Sequence, residues 1–164
     1  MKQLDFSPEK STGEFRKNYK LHDLAELYGK NLLIQWGFTF EEFGKDKRFE
    51  KVWEGGQDKP DLIIEYKGKK ALLDWKGKHK AAWLTNKRAA SSYEKWQEKF
   101  NIPAFICFAV FTSHNSLSDF RFACLGFHNY IFSTGKEWDK NDTIEFNSGL
   151  PEFTKANILK HLRM

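Results

Sequence analysis

Apolar residues recur at helical spacing from Leu21 to Trp36, with Leu21, Leu24, Ala25, Tyr28 and Leu32 on one face, which predicts an amphipathic helix. Gly37 ends it, and Phe38 begins an extended aromatic stretch. A short strand is predicted around Phe49–Trp53, then a loop over 54–60 punctuated by Gly55, Gly56 and Pro60. The segments Asp61–Tyr66 and Lys69–Lys76 flank Lys67 and Gly68 and read as a hairpin. Ala81–Phe100 reads as a helix stopped before Pro103, and Ala104–Phe111 as an apolar strand. Two more short strands, Arg121–Leu125 and Asn129–Phe132, precede a terminal helix over Glu152–Leu162. The order predicts an α/β fold, a mixed sheet flanked by helices. No repeat, low-complexity tract or Pro/Gly-rich linker divides residues 1–164, so one domain is expected.

Composition narrows the class. With 40% apolar and 16% aromatic residues the chain has ample mass for a core, which excludes intrinsic disorder. Two cysteines, Cys107 and Cys124, are too few for a disulfide scaffold or a four-thiolate zinc site, and their apolar settings suit reduced thiols. The first residues contain no secretory apolar stretch, and the run Ile102–Phe111 is too short to cross a bilayer. A cytoplasmic protein without a membrane partner is expected. The five histidines (His22, His79, His114, His128, His161) fall at no zinc-ligand spacing, and no phosphate-binding glycine loop or nucleophile elbow occurs.

The net charge of +5 is unevenly distributed. Residues 67–100 carry ten basic and three acidic side chains, whereas residues 1–66 are slightly acidic and residues 101–164 neutral. Such a window is either a surface patch that meets phosphates or a solvated Lys-rich helix face.

The hairpin carries the candidate chemistry. With a two-residue turn at Lys67-Gly68, Ile63 faces Leu72, Ile64 faces Ala71 and Asp61 faces Asp74. Facing side chains lie roughly 5 Å apart, so two carboxylates meet at the open end, a destabilising pair unless a cation lies between them. Strand alternation puts Lys76 on the face of Asp74 and turns Leu73 and Trp75 to the other.

Pro60-Asp61, the hairpin body and Asp74-Trp75-Lys76 resemble the signature of the PD-(D/E)XK nuclease superfamily. The order α-β-β-β-α-β over about residues 18–112 is similar to its restriction-endonuclease-like core, leaving 113–164 as a C-terminal β/α extension. Within the superfamily, Glu26, Leu32-Leu33 and Gly37-Phe38 resemble the first helix of archaeal Holliday-junction resolvases, as does the spacing from Asp61 to Asp74. Where resolvases often carry a Gln in the helix after the motif lysine, this chain reads Asn86-Lys87-Arg88, with Gln97 further on.

The resemblance implies a Mg²⁺-dependent DNA endonuclease, with Mn²⁺ able to substitute. Asp61, Asp74 and the main-chain carbonyl of Trp75 would ligate the metal, and Glu26 would complete the site. Glu26 lies off the main apolar stripe, aimed either at the site or at water. Lys76 would orient the attacking water and offset transition-state charge. Gln57, Lys78, Lys80, Lys87 and Arg88 are candidate contacts to double-stranded or branched DNA. Tyr93 and Trp96 suit core packing. Many relatives are homodimers, and the aromatic segment Phe105–Phe132 suits either an interface or the core. A restriction-type nuclease and a non-catalytic nucleic-acid-binding module are the alternative functions.

Overall fold

The structure, a computed structural model, describes residues 13–44, 58–133 and 142–162. In chain order its elements are α1 (Gly13–Gln35), β1 (Thr39–Glu42), β2 (Leu62–Tyr66), β3 (Lys69–Lys78), β4 (Leu84–Asn86) and α2 (Lys87–Phe100). They continue with β5 (Ala104–Phe111), β6 (Leu117–Cys124), β7 (Tyr130–Ser133), β8 (Thr143–Phe146) and α3 (Lys155–His161).

A five-stranded sheet in the order β1-β2-β3-β5-β6 forms the centre. Only β3 and β5 run parallel; the other neighbours are antiparallel. All eight residues of β5 are buried, as expected for a strand covered on both faces. Alternation sorts the side chains into two cores. Leu73, Trp75, Phe105, Cys107 and Phe111 join α1 and α3 residues such as Leu21, Leu33 and Ile158. Leu72, Ile106, Phe108 and Val110 join Ala90 and Tyr93 of α2, together with Ile144 and Phe146 of a small sheet ordered β4-β8-β7.

The hairpin register is the one read from the sequence, with Leu62 opposite Leu73, Ile63 opposite Leu72 and Ile64 opposite Ala71. Lys67 and Gly68 both take positive φ (50° and 82°), as a type I′ turn requires. The helix expected from Ala81 instead begins at Lys87. Asn86 caps it by accepting the Arg88 N–H, and Leu84–Asn86 pairs with β8. The strand β8 was not anticipated. The strand expected at Phe49–Trp53 lies outside the described residues, as does Gln57. Of the aromatic segment, Phe105, Phe108, Phe111, Phe120 and Phe122 are core, while Phe127 and Phe132 are exposed. No described helix is long and apolar enough to cross a membrane.

Two glycines let α1 lie flush on β3. A Cβ on Gly29 would fall 2.1 Å from the Trp75 ring, and one on Gly77 would fall 2.2 Å from the carbonyl oxygen of Leu21. We expect Gly29→Ala to destabilise the fold by about 1–3 kcal/mol, read as a lower urea midpoint. An unchanged midpoint would contradict this packing of α1 on Trp75.

Candidate metal centre

The site forms where the hairpin opens. Asp61 precedes β2, and its Oδ2 accepts the backbone N–H of Trp75 at 2.9 Å, so the side chain reaches across to the strand that carries Asp74. Asp74 projects from the middle of β3 with its side chain 5% exposed. Its Oδ2 lies 3.2 Å from Lys76 Nζ, an ion pair without hydrogen-bond geometry, so that buried oxygen accepts no hydrogen bond from the described residues. Tyr93, buried on α2, faces the same carboxylate, and burial with the charge of Asp74 pushes its hydroxyl well up.

From the other side of the sheet α1 contributes His22, whose Nε2 is 3.3 Å from Asp61 Oδ2. Asp23 lies 3.7 Å from His22 Nδ1. Burial alone would lower the imidazole, but Asp23 and Asp61 outweigh it and raise His22 to about 10. Glu26, one turn on, has a ligand oxygen within 4.8 Å of donor atoms of His22 and Asp23. It pairs with Lys30 at 2.6 Å, and Lys30 also holds Glu42 at 2.7 Å. The described contact from α1 to Asp61 is thus made by His22, not by Glu26.

The two facing carboxylates are driven apart electrostatically. Burial and then the negative charge of Asp61 push Asp74 up to about 7. Asp61 is also penalised by burial, but His22, the Trp75 N–H and Lys76 outweigh that and hold it below the usual carboxylate range. Lys76 is pulled down by burial, yet Asp74 and Asp61 beside it keep it above its ordinary value and therefore charged.

The donor set fits a hard divalent cation. Two facing carboxylates supply oxygen ligands, and the Asp74 oxygen without a hydrogen bond is the group such an ion would satisfy. His22, held protonated by Asp23 and Asp61, braces the Asp61 carboxylate rather than adding a ligand nitrogen.

The expected nucleic-acid contacts are placed unevenly. Lys80 and Lys87 are exposed. Arg88 is exposed but pairs with Asp58 at 3.1 Å, just before Pro60 and Asp61. Lys78 turns inward, donating to the Leu84 carbonyl at 2.9 Å, and burial followed by the charge of Lys76 lowers it to about 8. Sequence reasoning passed over His22. Its signal was the spacing to Glu26: positions four apart share a helix face.

Neither a protein-family model nor a curated protein matches the chain. Among solved structures it is similar to Hjc, a Holliday junction resolvase from the archaeal hyperthermophile Archaeoglobus fulgidus. The match has a TM-score of 0.53 at 12% identity and covers 83% of this chain and 98% of that one. With its central mixed sheet and flanking helices, the chain therefore has an Hjc-like, restriction-endonuclease-like fold.

Proposed function

We propose that the chain is a metal-dependent nuclease that hydrolyses phosphodiester bonds in DNA. The observation that carries this reading is the buried Asp74 oxygen, without a hydrogen bond, facing Asp61 and 3.2 Å from the Lys76 ammonium. The Hjc-like fold supports it, since that neighbour is a Holliday junction resolvase.

Asp61, Asp74 and the Trp75 carbonyl would hold Mg²⁺, with Mn²⁺ as a substitute, and His22 and Glu26 would flank it from α1. Bound there, the ion supplies charge neutralisation at phosphorus and a water of lowered pKa. The remaining work belongs to the chain. Lys76, held charged by the two carboxylates, orients the attacking water and offsets charge as it builds on the phosphoryl oxygens. Its raised pKa favours this electrostatic role over that of a general base. His22 fixes the carboxylate of Asp61 from one side, and the Trp75 N–H fixes it from the other. Lys80 and Lys87 offer phosphate contacts that carry no sequence information. Cutting both strands of a duplex or a branched junction needs two such centres, so the active form is read as a homodimer, acting on DNA in the cytoplasm.

The test is a panel of four-way junction, flap, linear duplex and single-stranded DNA, incubated with Mg²⁺ or with EDTA. Wild type should cut at least one substrate only with the metal, and Lys76→Ala should cut it about 10²–10³-fold more slowly while binding DNA. The preferred substrate separates a resolvase from a flap or restriction-type nuclease. Binding without cleavage of any member would leave a non-catalytic nucleic-acid module.

A further inference from the structure

A cavity of about 360 Å³ opens beside the metal centre, lined by Lys20, Leu21, His79, Thr112, Ser113 and Asn115. Its position follows from the topology. Strands β3 and β5 are parallel neighbours, with Lys78 opposite Val110, so their C-terminal ends emerge side by side. Open α/β sheets bind ligands at such carboxyl ends. His79 leaves the end of β3 and Thr112 the end of β5, just after the register with β6 breaks between Val110 and Phe111. Lys20 and Leu21 of α1 close the cavity on one side. The close approach of Gly77 to the Leu21 carbonyl brings Lys20 and His79 to one opening.

We propose that this cavity binds a phosphate of the DNA strand close to the scissile one. The inference rests on the nuclease reading and deepens it. None of the six lining residues is acidic, while Lys20 and His79 supply nitrogen donors, both exposed. The Thr112 hydroxyl accepts the N–H groups of His114 and Ser116, each at 3.2 Å, which leaves its own hydrogen to donate. Asn115 holds a positive φ of 63° and donates to the Thr112 carbonyl at 3.0 Å, so the turn is fixed before any ligand arrives. The volume lies at the small end of ligand pockets, enough for a phosphate with its sugar. The cavity's lining adjoins residues of the metal centre along the chain. Leu21 precedes His22, which touches Asp61, and His79 lies three residues after Lys76.

The test measures DNA binding by fluorescence anisotropy in EDTA, across a salt series, for wild type and for Lys20→Gln/His79→Gln. A control, Lys70→Gln/Lys160→Gln, removes exposed lysines elsewhere. We expect the cavity variant to bind about tenfold more weakly and its log Kd against log [salt] slope to fall by about 0.9, the signature of one lost phosphate contact. The control should stay near wild type. Oligonucleotides with a 5′-phosphate and with a 5′-hydroxyl separate two sources of the ligand. A loss confined to the phosphorylated strand assigns an end phosphate, and an equal loss on both assigns an internal phosphodiester. If wild type binds DNA but the cavity variant keeps its slope, or changes only as the control does, this inference falls alone. If wild type binds no DNA, the nuclease reading falls with it.

Discussion

Asp74→Asn should cleave DNA on the order of 10³-fold more slowly than wild type in Mg²⁺, and should nonetheless melt at a higher temperature than wild type in EDTA at pH 8. The rate loss reflects the several kcal/mol that a positioned metal contributes to phosphoryl chemistry. The stability gain follows from linkage. Burial and the charge of Asp61 raise the folded Asp74 carboxyl from its ordinary 3.8 to about 7. Between those values the folded chain binds more protons than the unfolded one, so stability falls as pH rises through that window. Above pH 7 the penalty is fully present, and the neutral Asn removes it. Toward pH 4 the two proteins should converge. Adding Mg²⁺ should reverse the order, because an ion that binds only the folded wild type stabilises it by mass action. Thermal melts at pH 4.5 and pH 8, with and without Mg²⁺, give all four comparisons. An Asn variant less stable than wild type at pH 8 in EDTA would contradict the electrostatics assigned to Asp74.

Trp75→Ala should cost about 3–5 kcal/mol, as large aromatic truncations in cores do. Folded domains have only about 5–15 kcal/mol in total, so a substantial share of the stability hangs on this side chain. The ring is fully buried between α1 and the sheet, with its centroid 6.3 Å from Phe120 and 5.9 Å from Phe153. Gly29, whose Cβ would fall 2.1 Å from the ring, has no side chain of its own to fill the space a truncation leaves. Its Nε1 makes no hydrogen bond with the described residues, so Trp75→Phe removes no polar contact and should cost much less. Urea unfolding monitored by far-UV circular dichroism would show the midpoint falling with the slope unchanged. The activity of Trp75→Ala should fall too, because the strand residues on either side of the ring carry Asp74 and Lys76. Equal midpoints for the Ala and Phe variants would overturn the packing role.

The hairpin was legible because its turn is short. Once Lys67 and Gly68 occupy the bend, every facing pair follows by counting, which is why the Leu62–Leu73 register could be reached from residues alone. The strand Ala104–Phe111 was legible because a strand buried on both faces is apolar throughout. Non-local partners defeated the rest. Leu84–Asn86 resembles the start of a helix in composition, but pairing with Thr143–Phe146 draws it into a strand and leaves Asn86 to cap α2. The strand Thr143–Phe146 is only four residues long, too short for a periodic signal. His22 meets Asp61 across 39 residues of chain, a contact set by how α1 lies on β3 and therefore by Gly29 and Gly77. The family resemblance points to Glu26, whose carboxylate is paired with Lys30 one turn further along.

Asp61 and Asp74 together are proposed to hold a divalent cation. Titration of Mn²⁺ followed by electron paramagnetic resonance tests it without relying on a choice of DNA substrate. Wild type should bind Mn²⁺ with an affinity that drops at least about tenfold in Asp61→Asn and in Asp74→Asn, since losing even a partner that only orients a metal ligand costs about 10–100-fold, while Lys160→Gln binds as wild type does. Indistinguishable Mn²⁺ binding by wild type and both Asn variants would contradict the account.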